Sequence, residues 1–214
     1  MKGTFRFDSP VMQKLALLTN LMLLNLLWLI CSLPVLTAGA ATTAMDAVIF
    51  QYLDGGDDSV IKPFFKAFAA NFRQSTLIGI PLSLLAGMLI FDGIYLAAGS
   101  SQGLRFLWIP VILLALLCGM LATYAFPMIA RYECRLRDVV RNSILLFCLE
   151  LFSSLFLLFL NAVPVLLLVF LPDVFMETSL FWVILGRSLI AFLSNSILLR
   201  IFKKHDRREE NDPA

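Results

Sequence analysis

Five stretches of about twenty residues, nearly free of charge, constrain this chain more than any other feature. Residues 15–33, 74–91 and 106–130 contain no Asp, Glu, Lys or Arg; residues 142–171 carry only Glu150, and residues 178–199 only Arg187. A helix needs about 20 apolar residues to cross roughly 30 Å of hydrocarbon. Together the stretches take up more than half of the 214 residues, so the membrane region is the domain and not an anchor for one. The chain is 60% hydrophobic and 15% charged, against roughly 25% charged in a soluble domain. A water-soluble fold of this size has no core large enough to hide that much apolar surface. Polar and apolar residues do not alternate along the stretches, which excludes lipid-exposed strands.

The expected fold is therefore all-α, a polytopic transmembrane bundle forming one domain over residues 1–214. Spans are placed near 15–33, 38–53 (short), 74–98, 106–130, 142–171 and 178–201, with a tail at 203–214. The short segment is the ambiguous one. Pro34 cannot donate a hydrogen bond and should end the first helix. Residues 35–53 then hold one charge, Asp46, and a small, smooth run at 39–44 suited to close packing. They could cross as a short helix, re-enter as a hairpin or lie along the interface. Ala38-Gly39-Ala40 also mimics a signal-peptidase site, but the apolar run before it is long for a signal peptide.

Charge sets the orientation. Arg200, Lys203, Lys204, Arg207 and Arg208 flank the end of the chain; Arg131, Arg135, Arg137 and Arg141 lie between the third and fourth long stretches; Lys62, Lys66 and Arg73 precede the second. The positive-inside rule puts these three groups in the cytoplasm, with the C-terminus. Lys2, Arg6 and Lys14 join them if 35–53 crosses, for fifteen cations inside and one, Arg105, outside; otherwise the ratio is twelve to four. The count favours crossing and a cytoplasmic N-terminus.

Charge in hydrocarbon costs about 2.5–3.5 kcal/mol on insertion scales, so each intramembrane charge needs a reason. Glu150 and Arg187 both fall near mid-depth by 1.5 Å per residue. They are candidates for an ion pair joining the last two spans, or, with Asp46, for a polar solute site. Asp92 belongs near the outer interface. Asn20, Asn25, Asn161 and Asn195 fit interhelical hydrogen bonds. Pro81, Pro110, Pro127 and Pro164 lie inside spans, as happens both in broken transport helices and in ordinary ones.

Residues 60–73 read as a separate interfacial helix. An acidic turn, Asp54-Gly55-Gly56-Asp57-Asp58, precedes it, and Pro63 suits a first helical turn. Phe64, Phe65, Phe68 and Phe72 gather on one face, with Lys66 and Arg73 beside them. Such a helix can rest on anionic lipid or dock a partner. A faint repeat, residues 73–78 against 141–146, suggests a duplicated hairpin.

Several activities are excluded at this stage. A net charge of +2 gives no field for nucleic acid. His205 is the only histidine, so multi-histidine metal sites and HExxH proteases are ruled out, and its place in the charged tail argues against a Ser–His protease. Cys31, Cys118, Cys134 and Cys148 show no paired spacing. No cofactor, metal or enzymatic activity is expected.

Residues 25–29 (Asn-Leu-Leu-Trp-Leu), 32–40 (Ser-Leu-Pro-Val-Leu-Thr-Ala-Gly-Ala), Phe64-Phe65-Lys66-Ala67-Phe68 and Asn71-Phe72-Arg73-Gln74 resemble the YesL family of bacterial membrane proteins. Ala38 stands where the resemblance leads to the expectation of a bulkier aliphatic residue. The resemblance spans nearly the whole chain and carries over no catalytic residue. It implies a bacterial plasma-membrane protein of unknown activity, tied to carbohydrate-utilisation gene clusters with ABC sugar importers. Two functions follow as expectations. One is an accessory or regulatory subunit that binds an importer's permease or ATPase through residues 64–73 and 131–141. The other is a small transporter with a midplane polar site. Self-association is compatible with both.

Overall fold

The computed structural model describes residues 10–56, 59–98, 106–132 and 135–211, and all regular structure among them is helical. In order these are α1 (Pro10–Ser32), a 3-10 turn (Val35–Thr37), α2 (Ala38–Leu53), α3 (Ile61–Ala98), α4 (Trp108–Arg131), α5 (Leu136–Leu149), α6 (Leu151–Phe170), α7 (Pro172–Glu177) and α8 (Ser179–Phe181). A π-helical turn (Trp182–Gly186) then leads into α9 (Arg187–Asn211). Five of the helical segments are long and apolar enough to cross a membrane: 14–32, 61–96, 108–131, 151–170 and 179–206. The chain is a multi-pass helical membrane protein.

The short segment 38–53 is the centre of the bundle. Eleven of the 16 residues of α2 are buried, from Gly39 to Phe50, whereas α6 buries only Ser154 and Leu157. α2 packs on α1, α3, α4 and α9. At 1.5 Å per residue it is about 24 Å long, short of the hydrocarbon thickness, and it meets protein on its sides instead of lipid. Small residues allow this. Gly39 lies against Gly79 of α3, and a Cβ on Gly39 would fall 2.7 Å from the Ser75 carbonyl oxygen. Thr43 accepts a hydrogen bond from Ser75 at the same seam, 2.8 Å. Pro34 ends α1 as expected, and the chain reverses through Thr37, whose hydroxyl donates to the carbonyls of Cys31 and Pro34.

α1 and α2 form an antiparallel hairpin: Trp28 meets Thr42 near its tip, and Leu21 meets Ile49 and Tyr52 near its open end. Gly79 marks the hairpin's tip on α3, and α3 runs on for residues 80–98, about 28 Å. There it pairs with the first half of α4, where the Cys118 thiol lies 3.9 Å from the Leu82 carbonyl. Asp92 is exposed near the far end of this arm.

Two expected breaks are misplaced. Residues 60–73 are not a separate interfacial helix but the start of α3, which continues through position 74 for 38 residues. Nothing at Gln74 or Ser75 stops a helix, and Phe64, fully buried against α2, ties its start to the core. The expected single span 142–171 is instead two helices, broken at Glu150 (φ −118°, ψ 49°). α5 is amphipathic, with Val139, Ser143 and Leu146 inward and Arg137 and Arg141 exposed; α6 makes the crossing. The suggested repeat is not matched by the elements: the copy at 73–78 lies midway along the 38-residue α3, whereas the copy at 141–146 lies in the 14-residue α5, which ends before Glu150. Beyond residue 203 the expected tail continues α9 as helix to Asn211.

Candidate functional site

Polar chemistry gathers in two places. The inner one lies where α1, α2, α6 and α9 meet. Asp46, 4% exposed, accepts a hydrogen bond from the Asn195 amide at 2.7 Å. The Arg187 guanidinium donates to Asn161 Oδ1 at 2.9 Å and lies over the Trp28 ring, 5.8 Å from its centroid. Asn161 in turn donates to Ser194 Oγ at 3.2 Å, and Trp28 Nε1 donates to Thr42 Oγ1 at 3.1 Å. Asp46 and Arg187 act on each other electrostatically without a direct ion pair. The cation–π contact and the amide thus hold the guanidinium, and the carboxylate neutralises it at longer range.

The π-turn positions Arg187. A π-turn widens the hydrogen-bond ladder and frees carbonyls, and Asn25 takes them up. Its amide donates to Val183 O at 2.6 Å and Trp182 O at 3.3 Å, and its Oδ1 accepts from the Ser188 backbone N–H at 2.8 Å. Asn25 is 1% exposed, so α1 staples the start of α9.

The second place is the end of the bundle where the basic residues collect. The Asp54 carboxylate accepts from Arg131 at 3.0 Å and from Lys203 at 2.8 Å. Lys204 pairs with Glu150, and the Tyr132 hydroxyl donates to Asp206 at 2.9 Å. These bonds join α2, α4, α9 and the α5–α6 break. The hydrogen bond from the Lys203 ammonium lowers the Asp54 carboxyl from its ordinary range; burial pushes the other way, and the Arg131 guanidinium adds to the lowering. Burial, then the Asp206 carboxylate, raises the Tyr132 phenol to about 12.

The structure therefore joins Asp46 to Arg187 and separates Glu150 from both. The expected Glu150–Arg187 pair does not form. Glu150 stands at the helix break beside Lys204, at the basic end, because α5 leaves the membrane path before residue 150. Among the aromatic residues of 64–73, Phe64 is core, whereas Phe65 (48% exposed) and Phe72 (39% exposed) face outward with Lys66 and Arg73. Phe64, Phe68 and Phe72 form a ring ladder with centroids 6.3 and 5.6 Å apart. Sequence reasoning missed Trp28, Thr42 and Ser194. One signal was available for α9: Arg187 and Ser194, like Ser188 and Asn195, are seven residues apart, two turns on one face. The Lys2, Arg6, Arg105 and Cys134 assignments lie outside the described residues.

A family described as "Protein of unknown function, DUF624" matches residues 21–93, which cover most of α1, all of α2 and most of α3. The uncharacterized protein YteU of Bacillus subtilis (strain 168) is 30% identical over 154 residues, 70% of this chain and 69% of that protein. No solved structure matches.

Proposed function

This chain belongs to the DUF624 family of proteins of unknown function, and we propose that it is an accessory or regulatory membrane subunit, with no enzymatic activity, that docks a transport component at its basic end. One observation carries the reading: the inner polar groups bond to one another, while the basic end presents, besides its ion-paired residues, six exposed cations that form no ion pair with another described residue. These are Lys62, Lys66, Arg73, Arg135, Arg137 and Arg141. Phe65 and Phe72 stand among them as apolar anchors, the combination typical of interface hot spots. By contrast, Asp46 and Arg187 line neither of the two cavities described for the bundle.

The basic end faces the cytoplasm of a bacterial plasma membrane under the positive-inside rule, with both termini on that side. The resemblance to the YesL family supports an ABC-type sugar importer as partner, through its permease or ATPase. The test is co-purification from gently solubilised membranes, followed by identification of the importer subunits. Phe65→Ser/Phe72→Ser and Arg137→Glu/Arg141→Glu should each cut their recovery about tenfold, equivalent to about 1.4 kcal/mol. Recovery of self-associated chain only, or importer recovery indifferent to both variants, would overturn the proposal. Solute flux in proteoliposomes, abolished by Asp46→Asn in a folded protein, would favour the transporter reading instead.

A further inference from the structure

A groove of about 410 Å³ opens between the second half of α2 and the start of α3, at the basic end. Gln51, Ser59, Lys62 and Lys66 stand around it, and Ala67 and Ala70 help form its floor. Lys62 and Lys66 are one helical turn apart on α3, so their ammonium groups overhang the same opening. Both are exposed, and neither pairs with a described acidic residue. Two cations, a hydroxyl and an amide over a small apolar floor match a phosphodiester carried on a glyceryl body.

The same face of α3 indicates the source of that phosphate. At about 100° per residue, Leu77, Leu84 and Met88 continue the line of Lys66 and Ala70 along the helix. Their exposures are 55%, 65% and 66%, within the segment long and apolar enough to cross the membrane. A free phosphate has no use for such a stripe, whereas the acyl chains of a lipid would lie along it. The aromatic face with Phe65 and Phe72 points elsewhere on α3, about 100–120° away from Lys66 by the same count. The groove therefore shares Lys62 and Lys66 with the docking surface proposed above but leaves that surface's rings, Phe65 and Phe72, outside it.

We propose that the α2–α3 groove binds the headgroup of one anionic phospholipid, its phosphate between Lys62 and Lys66 and its acyl chains along Leu77, Leu84 and Met88. The test uses full-length protein in nanodiscs of equal phosphatidylglycerol and phosphatidylcholine, extracted into mild non-ionic detergent, with retained lipid counted by mass spectrometry. One phosphatidylglycerol should be retained at least tenfold over phosphatidylcholine. Lys62→Glu/Lys66→Glu should cut retention at least tenfold, and Ala70→Phe should do the same by filling the floor with both charges kept. Arg137→Glu/Arg141→Glu should leave it unchanged, as should millimolar glycerol phosphate. Equal retention of the two lipids, or retention surviving the lysine reversals, overturns the proposal. So does equal loss with the arginine reversals, which marks a general basic belt, or displacement by glycerol phosphate, which marks a soluble-anion site. All five altered side chains are exposed, and monodisperse elution with unchanged tryptophan emission confirms the fold of each variant.

Discussion

Asp46 is tolerated in a membrane bundle because the structure surrounds it with protein and gives it a partner. Removing the Asn195 amide leaves a buried carboxylate short of a hydrogen bond, at a cost of about 1–3 kcal/mol. Asn195→Leu should lower the thermal midpoint in detergent, followed by tryptophan fluorescence. Asp46→Leu should lower it further, because Arg187 then loses the carboxylate that acts on it. The reverse ranking would show that Arg187 is held by Asn161 and Trp28 alone. At the basic end, the folded-state pKa of Asp54 lies below its unfolded value. Its contribution is present above about pH 4, the ordinary aspartate range, and is lost as pH falls through the lower folded value. Asp54→Asn should flatten the acid side of a melting-point profile. Tyr132 has the opposite sign: its folded pKa of about 12 exceeds the ordinary tyrosine value of about 10. Its contribution is present below pH 10 and disappears as pH climbs to the folded value, so Tyr132→Phe should flatten the alkaline side.

Among the helices, α2 and α3 differ most from expectation, and each difference has a local cause. α2 is short and rich in Ala, Gly and Thr, so it fits where larger residues would hold the helices apart. Gly39→Val would place carbon against the Ser75 carbonyl and force the α2–α3 seam open, costing about 1–3 kcal/mol, read again as a lowered midpoint. α3 runs unbroken through the point where composition changes from cationic to apolar. A proline at position 74 discriminates directly: inside a continuous helix Gln74→Pro costs about 3 kcal/mol or more, whereas at a true helix boundary it would be nearly silent. Glu150 shows the opposite case: residues 142–171 form one apolar run, yet the helix breaks there. Hydropathy averages over a window and does not register a change of direction. The alternation of Arg137 and Arg141 with Val139, Ser143 and Leu146 was the available sign of a surface helix.

For the whole molecule, the antiparallel α1–α2 hairpin puts the open end of α1 at the same end of the bundle as Asp54, Arg131 and Lys203. Single cysteines at Lys14 and Arg137, in a cysteine-free background, should react with an impermeant maleimide from the same side of sealed vesicles. Labelling from opposite sides would break the hairpin arrangement. α3 and α4 beyond residue 80 present mostly apolar side chains outward, Ile90, Phe91 and Ile109 among them, as lipid-facing helices do.

Class, the five long helices and the clustering of cations needed nothing beyond the order of residues, because the transfer of apolar side chains into hydrocarbon is nearly additive along a chain and charge at its flanks is counted locally. The Asp46–Asn195 bond, the Asn25 staple on the π-turn and the meeting of Lys204 with Glu150 were not legible in that way. Each joins residues between 54 and 163 positions apart. Such pairings depend on which helix faces which, set here by contacts as short as the one between Gly39 and Gly79, and no sum over single residues contains that information.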